Sequence, residues 1–84
     1  MKWIYNIGAS LRPRVLMRVI LVFDQQRVSV RRCLVVENDQ VLEMTITVDA
    51  EENVARRICA KLCGQEDIRC VELSSEEAMH KILI

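Results

Sequence analysis

The sequence predicts an α+β domain of order β-α-β-β-α-β: a four-stranded antiparallel sheet with both helices on one face. Three observations carry this reading. The hydrophobic period switches between strand-like alternation and helical spacing in that order. Turn and capping residues stand at the switches. The 84 residues amount to one domain.

Residues 3–10 alternate as a strand, with Trp3, Tyr5, Ile7 and Ala9 on one face and Ile4, Asn6, Gly8 and Ser10 on the other. Pro13 then suits the first turn of a helix, where its missing N–H has no intrahelical partner. Val15, Leu16, Val19, Ile20 and Phe23 follow at helical spacing and form a stripe that can lie on a sheet. Residues 28–36 are valine-rich and read as the second strand. Alternation puts Arg31 on the outer face and Arg32 in phase with Val30 and Leu34, so one of the two arginines marks a bulge that rephases the strand. Glu37, Asn38, Asp39 and Gln40 supply the turn of a hairpin.

Residues 41–48 alternate cleanly, with Leu42, Met44, Ile46 and Val48 inward. Asp49 is placed to N-cap the second helix, with Glu51 and Glu52 in its first turn. Val54, Ala55, Ile58 and Leu62 are its buried stripe, and Gly64 stands at the C-cap. Residues 67–73 are the fourth strand, which completes a ferredoxin-like domain over 1–73. Beyond it, Ser74 and Glu77 have capping-box spacing ahead of Ala78, Met79, Ile82 and Leu83, so residues 74–84 are either a short helix or a tail.

Composition narrows the function. Only Trp3, Tyr5 and Phe23 are aromatic, so the core is aliphatic. The net charge is zero, so the chain as a whole gives no sign of attraction for nucleic acid or membrane. Charge is nonetheless segregated: residues 12–32 hold six arginines and one acid, and residues 37–52 hold six acids and no base. Base-stacking aromatics are absent from residues 28–36 and 41–48, which argues against the RNA-binding version of this topology. No apolar run approaches a membrane span, and MKWIYNIG is too short and polar for a secretory segment. The expected setting is the cytoplasm, with Cys33, Cys59, Cys63 and Cys70 reduced.

No catalytic constellation is evident. His80, the single histidine, falls in the tail, and the carboxylates lie on outer faces or in turns. Cys59 and Cys63 share one side of a helix, but this spacing lacks the second ligand pair of a zinc site and reads as packing, as do Cys33 and Cys70. Two surfaces stand out instead. Met17 and Leu21 lie one turn apart on the helix side away from the core stripe and can meet a partner. The open sheet face, carrying Ile4, Asn6, Gly8, Ser29, Cys33, Val35, Val41, Thr45 and Thr47 by alternation, is poor in charge and suits packing against another chain.

The run VLMRVILVFDQQRVSV, then LEMTITVD, a helix and DIRCVEL, resembles the ACT domain. More narrowly it is similar to the small regulatory subunit of acetolactate synthase (acetohydroxyacid synthase), of the short, valine-insensitive type. Leu16, Arg18 and Val19 match that family's first helix, and Met44, Thr45 and Ile46 its third strand. The resemblance implies a non-catalytic regulator of branched-chain amino-acid biosynthesis that pairs with itself through ACT domains. It implies no cofactor on this chain; thiamine diphosphate and Mg belong to the catalytic large subunit, its partner. The effector, an amino acid, would lie at Leu11, Arg12, Arg14, Val15, Ser29 and Val30. Here the residues depart from the family: Leu11 and Ser29 replace asparagines, and Arg14 replaces a glycine. The resemblance therefore implies weak or absent valine feedback. The alternative is a free-standing ACT dimer that holds an amino acid or other small anion at Arg12 and Arg14, at the start of the first helix.

Overall fold

Bulky side chains at every second position give β1 (Lys2–Ser10) one dry face, and the same holds for β3 (Val41–Asp49). A computed structural model of the chain, which describes residues 1–75, places these two strands at the centre of the sheet. The order is β2 (Ser29–Asn38), β3, β1, β4 (Ile68–Ser75), all antiparallel neighbours. With α1 (Val15–Gln25) and α2 (Glu52–Cys63) this is the expected βαββαβ architecture.

The core is one cluster. Trp3, Tyr5, Ile7 and Ala9 of β1 and Leu42, Met44, Ile46 and Val48 of β3 meet Val15, Val19, Val22 and Phe23 of α1 and Ala55, Ile58 and Leu62 of α2. Tyr5 ties the sheet to both helices. Its ring lies 5.0 Å from that of Phe23 at 84°, an edge-to-face contact. Its hydroxyl donates to the Ala55 carbonyl at 2.8 Å. Burial, and to a lesser degree Cys59, pushes the Tyr5 phenol above its usual range, so it stays a donor. Trp3 Nε1 likewise donates to the Ala50 carbonyl at 3.1 Å.

Several local expectations shift. The α1 helix begins at Val15 with Arg14 at its N-cap, so Pro13 precedes the helix and does not form its first turn. Asp49 stays in β3 and does not cap α2, whose N-cap is Glu51. Its carboxylate instead accepts a hydrogen bond from the N-terminal ammonium at 3.0 Å, the main cause that holds it below the usual carboxylate range. Gly64 is the C-cap, but at φ −83° it uses none of glycine's left-handed freedom. The β4 strand continues to Ser75, and Ser74 pairs with Ile4. Glu77, His80 and the remaining tail lie outside the described residues.

The bulge falls at Arg31: Val30 pairs with Val48 and Arg32 with Thr47, which leaves Arg31 with no register partner. The strand changes phase there. Cys33 and Val35 pair with Ile46 and Met44 and so lie on the helix side, contrary to simple alternation, while Leu34 pairs with Thr45 on the open face. The open face gains Arg32, with Lys2, Glu43 and Glu72 also on it, and is more charged than expected.

Cys33, Cys63 and Cys70 are exposed rather than packed, because β2 and β4 are the sheet edges and Cys63 ends α2. Cys59 alone is half-buried, and burial, followed by the neighbouring Cys63, raises its thiol pKa. Iodoacetamide at neutral pH should therefore label Cys33, Cys63 and Cys70 well before Cys59. Peptide mass mapping checks this, and equal labelling of Cys59 would show that this side of α2 is not packed. Among the described residues no group of three or more His, Cys, Asp or Glu is placed to hold a metal ion. No helix among them is long and apolar enough to cross a membrane.

Candidate functional site

The turn between β1 and α1 is held from both sides. Ser10 N–H donates to the Asp67 carbonyl and Leu11 N–H to the Gln40 carbonyl, each at 2.9 Å. Arg69 Nε donates to Ser10 Oγ at 3.0 Å. The turn thus sits between the α2–β4 loop and the β2–β3 hairpin. One turn into α1, Arg18 forms a part-buried ion pair with Asp67, which fastens the helix to the same loop.

Arg14 has φ 68°, in the left-handed region that favours glycine. Its carbonyl accepts from Arg18 N–H at 2.9 Å and starts the helix. The backbone thus keeps a glycine-like conformation where the sequence resemblance places a glycine, even though the side chain is a guanidinium. Such a conformation costs a non-glycine residue about 1–2 kcal/mol, part of which glycine returns as chain entropy. Arg14→Gly should raise stability by about 0.5–1 kcal/mol, read as a higher urea midpoint at constant m. An unchanged midpoint would mean that the arginine side chain offsets the strain.

Arg12 and Arg14 are exposed, and Leu11 is 39% exposed. The α1 N-terminus has no side-chain cap and no acid in its first turn. Val15 is buried and belongs to the core. Ser29 and Val30 are elsewhere. Ser29 pairs with Asp49, which pairs with Lys2, whereas Ser10 pairs with Val41, which pairs with Asn38. Lys2 and Ser10 are the two ends of β1. At roughly 3.3 Å per residue the two halves of the expected pocket are about 25 Å apart in one chain.

Every residue of β2 is exposed, and among the described residues its outer edge has no strand partner. Leu34 is 58% and Val36 46% exposed on the open face, while Val30 and Val35 are part-exposed on the helix side. The valine-rich composition of residues 28–36 carried that signal, but an edge position cannot be read from one strand alone. Met17 and Leu21 are exposed on α1 at 61% and 49%.

No family model matches the chain, and no curated protein matches it. Solved structures do. The ACT domain of a GTP pyrophosphokinase from Chlorobium tepidum superposes with a TM-score of 0.79 at 11% identity, covering 88% of this chain and 97% of that one. The fold is that of an ACT domain. The C-terminal domain of the MgtC protein from Mycobacterium tuberculosis shares the ACT-like fold at a TM-score of 0.72 and 14% identity, over 90% of this chain and 87% of that one. A formyltetrahydrofolate deformylase from Pseudomonas putida matches at 0.70 and 10% identity, over 89% of this chain and 29% of that one. In that enzyme the matching unit is one part of a longer chain.

Proposed function

We propose that this chain is a non-catalytic regulatory domain that works as a homodimer through β2, with its effector pocket completed at the dimer interface. The separation of the two pocket halves along one chain, beside an unpartnered apolar edge strand, carries the reading. A second copy paired antiparallel along β2 brings the partner's β2 start toward Asn38. The hairpin that begins there holds Leu11 through Gln40. Pairing thus joins what one chain keeps apart.

The order of matched segments supports a finer reading: the small subunit of acetolactate synthase, which activates the thiamine-diphosphate-dependent large subunit in the cytoplasm. Val19, Met44 and Ile46 of those segments are core residues, so they support the shared fold. Met17 and Leu21 offer a contact for the large subunit. Leu11 and Arg14 remove an amide and open space from the valine position, so feedback is weak or absent. Added to the purified catalytic subunit, the chain should raise turnover with little response to valine. Unchanged turnover together with no complex at micromolar concentrations would dismiss this reading.

One observation favours a second reading. The uncapped α1 N-terminus leaves backbone donors beside Arg12 and Arg14, which suits the carboxylate of an amino acid or 2-oxo acid. Calorimetry over such a panel tests it. Binding lost in Arg14→Ala supports it, and silence across the panel excludes it.

A further inference from the structure

We infer that the open face of the sheet carries a separate anion site at the β2 bulge, which takes the phosphoryl group of a small phosphorylated molecule. In a regular strand, Arg31 and Arg32 would point to opposite faces. The bulge leaves Arg31 without a register partner and lets both arginines line one depression of about 250 Å³ with Lys2, Ile4 and Thr47. Re-aiming of side chains is a common use of bulges. Three strands contribute: cations from β1 and β2 and a hydroxyl from β3.

The acid beside Arg31 is already engaged. Asp49 lies 3.8 Å from Arg31 and 3.0 Å from the N-terminal ammonium. Arg31 remains 57% exposed, and Arg32 has no ion pair among the described residues. Two neighbouring guanidiniums and a hydroxyl suit a dianion with three acceptor oxygens better than a carboxylate with two. Ile4 lines the same depression and gives the organic part of a phosphomonoester an apolar contact. The site is at the opposite end of the sheet from Arg12 and Arg14. Pairing along β2 uses its edge backbone with Leu34 and Val36, neither of which lines the depression.

The test is an amide NMR titration of the full chain at about 20 mM salt, where screening is weak. The probes are inorganic phosphate, glycerol 3-phosphate, and acetate at matched ionic strength. Both phosphates should shift Ile4, Arg31, Arg32 and Thr47, with acetate nearly silent. A stronger response to glycerol 3-phosphate identifies a phosphomonoester, and an equal one identifies free phosphate. R31Q/R32Q should weaken binding about tenfold or more, and R12Q/R14Q should leave it intact. Thr47→Val, which leaves the bulge untouched, should weaken it less. Shifts centred on Arg12 and Arg14, an equal response to acetate, or unchanged binding in both R31Q/R32Q and Thr47→Val would overturn the site. Binding only to phosphatidylglycerol vesicles would overturn the small-molecule reading in favour of surface attraction.

Discussion

Phe23→Ala is expected to cost about 3–5 kcal/mol, the usual price of removing a buried aromatic ring. Phe23 is fully buried, and it gives α1 its edge-to-face contact with Tyr5. A domain of 84 residues has only about 4–13 kcal/mol of total stability. The variant should therefore be largely unfolded at a denaturant concentration where the parent is still native. Trp3, the single tryptophan, is buried at 6% exposure, so its fluorescence reports the transition. Tyr5→Phe is the control: it removes only the bond to Ala55 and should cost about 1 kcal/mol. If Phe23→Ala loses no more than Tyr5→Phe, α1 is not held to the sheet by this contact.

In the proposed β2-paired dimer, Leu34→Lys combined with Val36→Lys should weaken self-association by about 100-fold or more, since two anchors are lost and four like charges meet at the interface. Both side chains are exposed in the single chain, so its folded state should keep its stability. Sedimentation equilibrium over a concentration series reads the dimer constant. The matched control is Met17→Lys with Leu21→Lys, which places the same charge on α1. Loss of dimer in the control with retention in the β2 variant would move the interface to the helix. It would also remove the argument that the effector pocket is completed across β2.

Much of this fold is legible in the chain because the governing signal is local. Tyr5 and Ile46 are buried where alternation places them, and Ile58 and Leu62 where helical spacing does. The two central strands read most cleanly, since each has neighbours on both edges and a helix layer over one face. The helix starts were less legible. Asp49 has the chemistry of an N-cap, but the last register pair of β3 and the nearby ammonium hold it in the sheet. Pro13 has the chemistry of a first turn, but the left-handed Arg14 follows it and delays the helix by two residues.

The candidate site was legible as a set of positions and not as a place. Leu11, Arg12 and Arg14 lie together in one turn, and Ser29 and Val30 at the far end of the sheet. The sequence by itself determined the order of elements, most of the core and the presence of a bulge, because side-chain period is a property of neighbouring residues. Val22 joins the core unannounced, and Leu16, Ile20 and Val54 are only partly buried. Tertiary structure alone decided that Arg31 is the bulged residue and that Leu34 faces outward. It also decided that β2 lies at a sheet edge and that the positions expected to form the pocket are apart. Each of these depends on which strand lies alongside, and strand pairing is set by hydrogen bonds between residues far apart in the chain.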